Sequence, residues 1–190
     1  MIFESWYWKR ELADLVSEIQ AWGPRHIQDR DEDVWGGESG FRVEKSLFQS
    51  AMVVRRLIDS HKVTDRLKGK SIPVLGYGAK MPEPHTTLSI LGSVSIFEWF
   101  EMEKPEPLNM APYNLASEIL HSFTLEFIAN DAGTNIDAFF VASERNQFVR
   151  AISIPCNTWV SILNSIIDDG VAGIEVKASS NGGDPKIELY

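Results

Sequence analysis

Cysteine is almost absent from this 190-residue chain: Cys156 stands alone, so an intrachain disulfide or a cysteine-rich zinc site is excluded. A lone thiol fits a reducing compartment, and a cytoplasmic home is the expectation. Basic residues are also short, 18 Lys and Arg against 27 Asp and Glu, giving a formal charge of -9. Such a surface repels phosphate, so general binding to nucleic acid or to anionic membrane is disfavoured. Long apolar runs are missing too. The first residues, MIFESWYWKREL, carry Glu4, Lys9, Arg10 and Glu11 among their aromatics, which does not read as a secretory leader. Later candidates for a membrane span are broken by Glu98, Glu101 or Asp168. Histidine is sparse, with His26, His61, His85 and His121 scattered singly, and no second E-x-x-H, H-E-x-x-H or G-x-S-x-G is present.

What remains is ordinary globular material: 44% hydrophobic, 24% charged, six tryptophans. The length suits one domain. Trp8, Leu12, Leu15, Ile19 and Trp22 recur at three and four residues and predict a first amphipathic helix, stopped by Gly23-Pro24. After an acidic connection, Phe41 to Gly69 reads as one second helix. Its stripe of Val43, Leu47, Ala51, Val54 and Ile58 faces the core, with His61 on the same stripe, Arg55 on its flank and Arg56 pointing outward. SIPVLGYG predicts a strand and Pro112 opens a helix on which Leu115, Ile119 and Phe123 are the buried positions. Ser89–Glu103 reads as a strand or a short helix, the alternation of Val94, Ile96 and Trp99 favouring a strand, and is closed by Pro105 and Pro107.

From Leu125 the texture changes to short apolar runs separated by turn residues, LEFIA, IDAFFVAS and FVRAISIP, which predict sequential antiparallel strands. A helix capped at Asn157 and a last hairpin, AGIEVKAS to KIELY, complete the chain. The expected fold class is α+β over 1–190: N-terminal helices packed on a mainly antiparallel sheet from the C-terminal half, with one further helix near Asn157–Asp169. Its helical part spans about 1–69 and 112–124, its β-rich part about 70–100 and 125–190.

Arg56 and His61 form an R-x4-H pair, and Arg55 with His61 an R-x5-H pair. The spacing resembles the motif of the HEPN ribonucleases, in which an arginine and a histidine at a helix end act on an RNA phosphodiester without a metal, usually across a dimer. The resemblance implies that His61 moves a proton while Arg56 stabilises phosphorane charge, with His121 as a possible helper. The likeness covers only these residues. Leu57 follows the arginine where the family usually has a polar residue, and a HEPN domain is all-helical.

Asn114, Glu118 and His121 make a polar stripe on the Pro112 helix, and Glu118 with His121 is half of a di-iron helix motif whose second half is missing. The plain reading is that Glu118 and His121 hydrogen-bond each other or hold a neighbouring loop; another is that His121 meets His61. Asp29, Asp31 and Asp33 open like a calcium loop, but Val34 stands where glycine is required and Gly40 where a glutamate should close the site. Gly76, Gly78 and Lys80 lack the following helix and Ser/Thr of a phosphate loop. Cys156 precedes a helix, where a thiol pKa can fall, yet no local base accompanies it. No metal or cofactor is expected.

Two functional readings follow. One is a non-catalytic binding protein, an accessory or inhibitor-type subunit acting on another protein or on itself. Trp6, Tyr7 and Trp8 cannot all face one core, and Arg55, Glu118 and His121 supply polar contacts. The other is the metal-independent ribonuclease carried by Arg56 and His61.

Overall fold

The structure is a computed structural model that describes residues 4–21, 38–80, 99–132, 135–177 and 186–190. Helix α1 is Ser5–Gln20, α2 is Glu38–Asp59 and α3 is the single turn Asp65–Lys68. Strand β1 (Ile72–Gly78) and strand β2 (Glu106–Met110) precede α4 (Pro112–Leu120). Then come β3 (Ser122–Ala129), β4 (Ile136–Ser143), β5 (Arg150–Pro155), α5 (Cys156–Asp168), β6 (Ile174–Lys177) and β7 (Lys186–Leu189). Five strands form one antiparallel sheet in the order β2-β1-β5-β4-β3; β6 and β7 form a separate antiparallel pair. The α+β arrangement is as the sequence predicts.

Period-two alternation decides how the sheet is used. Phe139 and Val141 of β4, with Ile152 and Ile154 of β5, point to the helices, where Leu12, Leu47, Leu115, Ile119, Trp159 and Leu163 complete the main core. Phe140 and Ala142, with Ala151, point to the opposite face and pack under Phe100. The Phe100 and Phe140 rings meet edge-on with centroids 5.4 Å apart. Because β4 is covered on both faces, its apolar run is continuous and does not alternate with polar residues. Each of the buried Val, Leu, Ile and Phe side chains among these contributes about 1.5–3 kcal/mol.

The second helix departs from expectation. It stops at Asp59 and does not continue to Gly69. Lys62 N–H donates to Leu57 O at 2.9 Å and His61 N–H to Ile58 O at 3.1 Å, the paired bonds of a Schellman ending, with His61 at φ 57° in the position usually given to glycine. Thr64 then caps α3, its side chain accepting from Leu67 N–H. No glycine or proline interrupts residues 41–68, so the sequence carries no stop signal at this break, and His61 lies exposed, off the core.

Smaller differences follow similar causes. The Pro112 helix ends at Leu120, so Phe123 belongs to β3 and is exposed. Pro105–Pro107 does not close a strand; β2 begins at Glu106, and Pro107 is tolerated because β2 is a sheet edge. The α5 helix starts at Cys156 without a side-chain cap from Asn157. Most of the proposed Ser89–Glu103 strand lies outside the described residues; within its end, Phe100 makes one isolated bridge to Ala79. No described helix is long and apolar enough to cross a membrane.

Candidate functional site

Helices α2 and α4 bring two of the sequence candidates, Arg55 and His121, together with Tyr113, which the sequence alone did not single out. Tyr113, Ser117 and His121 follow one another at four-residue spacing on α4 and at its C-terminal end, so they line the side facing Arg55. Arg55 Nη2 donates to Tyr113 Oη at 2.6 Å, its guanidinium carbon lies 4.6 Å from the centre of that ring, and Nη1 is 3.3 Å from His121 Nε2. A guanidinium has only donors, so in this contact Nε2 is the acceptor. The three groups therefore form one polar cluster around the Arg55 guanidinium. Among the described residues no carboxylate pairs with Arg55, and its full charge faces the α2–α4 seam.

Glu118 does not bond His121. Its carboxylate accepts from Ser143 N–H at 3.3 Å and from Asn146 Nδ2 at 2.5 Å, while His121 O accepts from Glu144 N–H at 2.9 Å. Helix α4 thus pins the β4–β5 turn, a structural task for Glu118. His61 is not near enough to bond His121 either; its turn ends α2, and both Arg56 and His61 are exposed without a side-chain hydrogen bond among the described residues.

A buried polar node that sequence inspection missed lies at the other end of the helices. The Asp169 carboxylate accepts from Thr64 N–H at 2.6 Å and Thr64 Oγ1 at 2.8 Å, and Lys9 Nζ donates to the Asp169 carbonyl. Desolvation pushes the Lys9 pKa down, opposed by the nearby Asp169 and Asp168 charges. Beside this node Arg66, Leu67 and Lys70 face Ser165 and Asp168 across a cleft of about 470 Å³. Thr64 is recognisable as a cap once the helix is known to stop before it; the partnership with Asp169, 105 residues away, has no local signal.

The third feature is apolar. Tyr7, Trp8 and Glu11 of α1 and Gln49, Met52 and Val53 of α2 line a groove of about 280 Å³. Trp8 packs on the main core, whereas Trp6 and Tyr7 stack on each other at 3.8 Å and stay 50% and 60% exposed, and Met52 is 48% exposed. The helical periodicity separates them: with Trp8 turned inward, its two neighbours in sequence fall to either side of the outer face.

The remaining candidates resolve simply. The Cys156 thiol is pushed up to about 12, first by desolvation and then by the Asp137 charge, so the helix start does not activate it. Gly76 and Gly78 lie within β1 and form no phosphate loop. Asp29, Asp31, Asp33, His26 and His85 lie outside the described residues, and among those described no three His, Cys, Asp or Glu side chains are grouped to hold a metal. Compared with protein-family models, curated proteins and solved structures, the chain gives no match.

Proposed function

We propose that this is a non-catalytic interaction protein of the accessory or inhibitor type, which uses the α1–α2 face to hold a protein partner. The observation that carries the reading is that Tyr7 and Met52, both large and roughly half exposed, line one groove, with the half-exposed Trp6 stacked on Tyr7. Exposed aromatics and methionine in one patch are the residues that dominate protein–protein contacts. The net charge of -9 favours a protein over a nucleic acid as the partner, and the single cysteine accords with a cytoplasmic setting. Arg55 and His121 form a polar seam at the other flank of α2, and Glu118 supports the neighbouring turn.

The test is recovery of the tagged protein from its native host, comparing wild type with Trp6→Ala/Tyr7→Ala. A companion protein retained by the wild type and lost by the variant supports the reading. A wild type that is a lone monomer with no companion removes its basis.

A second reading, metal-independent RNA cleavage by Arg56 and His61, gains one observation: the helix ends at Asp59, so His61 is released from the helical geometry that would hold it apart from Arg56. Against it, His121 Nε2 is already engaged by Arg55. Cleavage of RNA that disappears in His61→Ala would establish this reading, and unchanged cleavage in that variant would dismiss it.

A further inference from the structure

The two helices that frame the groove run antiparallel. Ser46 Oγ donates to Glu18 at 2.7 Å at one end, and Tyr7, Trp8 and Glu11 meet Gln49, Met52 and Val53 at the other. Along the rim of α1, Glu11 and Glu18 are seven residues apart and share one stripe, drifting by only about 20°, and Glu4 stands at the N-cap that opens the same helix. Along the rim of α2, Lys45, Gln49, Met52 and Arg56 follow at four, three and four residues, again one stripe. The first ridge is mainly acidic, with Arg10 exposed on the outer face beside it; the second is mainly basic, with Asp59 at its end; and the apolar groove lies between them. Glu4, Glu11, Lys45 and Arg56 are exposed, and among the described residues none of the four is ion-paired within the chain.

Opposite charges on two neighbouring antiparallel ridges are a self-complementary pattern. A two-fold axis lying in the face and parallel to the helices sets α1 of one protomer on α2 of its partner, acid on base, twice. The alternative two-fold, perpendicular to the helices, sets α1 on its own copy and opposes glutamate to glutamate. Only the first brings unlike charges together while closing Trp6, Tyr7 and Met52 from water.

We propose that the groove is covered by a second copy of this chain in that first arrangement, an antiparallel four-helix contact. The inference rests on the reading of this face as a protein-binding surface and names its occupant. Each protomer carries -9, so long-range repulsion opposes encounter. The aromatic and methionine contacts supply affinity, and the two charged ridges select the orientation.

The test is sedimentation equilibrium of the full chain, up to about 0.1 mM, which detects pairing far weaker than micromolar. The wild type is expected as a dimer. Glu4→Lys/Glu11→Lys places base on base, and Lys45→Glu/Arg56→Glu places acid on acid; each is expected to weaken self-association about tenfold or more. Mixed in equal amounts, the two variants are expected to recover dimers containing one copy of each, counted by native mass spectrometry. All four side chains are exposed, so unchanged circular dichroism and melting verify that the variants fold.

A wild type that remains monomeric throughout overturns the proposal, as does either charge variant dimerising like the wild type, or a mixture that fails to pair. A monomeric wild type that still loses a different companion protein on Trp6→Ala/Tyr7→Ala overturns self-pairing alone and leaves the interaction reading in place. A wild type that is monomeric and has no companion removes both.

Discussion

The indole N–H of Trp159 donates to Ser50 Oγ at 3.0 Å, joining α5 to α2 in the buried core, and the same hydroxyl donates onward to Leu47 O at 2.8 Å. Both residues are fully buried, so the indole donor has no recourse to water. Ser50→Ala removes the acceptor while leaving the donor in place. It is expected to cost about 1–3 kcal/mol, more than the loss of a solvent-exposed bond would. Urea unfolding measures this, and pairing the change with Trp159→Phe should show coupling: in the Phe background Ser50→Ala is expected to cost clearly less. Equal costs in the two backgrounds would mean that the bond does not hold the helices.

His61 offers a gain in stability. At φ 57° it occupies a left-handed position that penalises an L side chain by about 1–2 kcal/mol. His61→Gly relieves that strain but loosens the unfolded chain, leaving a net stabilisation of about 1 kcal/mol or somewhat less. His61→Val, β-branched, is expected to shift unfolding the other way. A glycine variant no more stable than wild type would show that the side chain contributes an interaction of its own there.

The same position explains how much the sequence revealed. Strands β4 and β5 were legible because IDAFFVAS and FVRAISIP combine strong β formers with clear turns on either side, and the α1 and α4 helices because their apolar spacing is unambiguous; β2, which carries Pro107, was not. The end of α2 was not, because its Schellman turn has histidine in place of glycine, and no proline or glycine precedes Gly69 to mark the stop. At the candidate sites, adjacent Trp6, Tyr7 and Trp8 signalled exposed aromatic surface by helix geometry alone. The Arg55–Tyr113–His121 cluster and the Thr64–Asp169 node were illegible, since each depends on how helices far apart in sequence are set side by side. Glu118 had a visible partner in His121 on its own helix, yet the fold placed Ser143 N–H and Asn146 closer.

Asp65 carries a pH dependence. Its carboxylate accepts from Leu189 N–H at 2.8 Å, tying the β6–β7 pair to α3, and that backbone bond, followed by Lys68, holds its pKa below the ordinary 3.8. A depressed folded pKa means the unfolded chain takes up the proton first as pH falls. The stabilisation is therefore complete above 3.8 and is lost as pH drops through the lower folded value. The group is largely solvent-exposed, so the effect is local and modest. In Asp65→Asn, Leu189 amide exchange is expected to accelerate at neutral pH, with other sheet amides unchanged. Protection equal to wild type would mean that the hairpin is held by other contacts.

Cys156 sits where two electrostatic effects compete. It is the first residue of α5, where the unsatisfied N–H groups of a helix start favour a thiolate. Desolvation acts the other way and is reinforced by Asp137, and together they push the thiol up to about 12. Burial wins because the helix-end effect amounts to a fraction of a charge seen through solvent, whereas the thiolate loses hydration outright. At pH 7 the thiol is therefore held almost wholly protonated. Alkylation by iodoacetamide is expected to be orders of magnitude slower in the folded protein than in urea. Asp137→Asn should speed the folded reaction only modestly, since charge is the smaller of the two causes. Fast, stoichiometric labelling of the folded protein at pH 7 would mean that the helix start, not burial, governs this thiol.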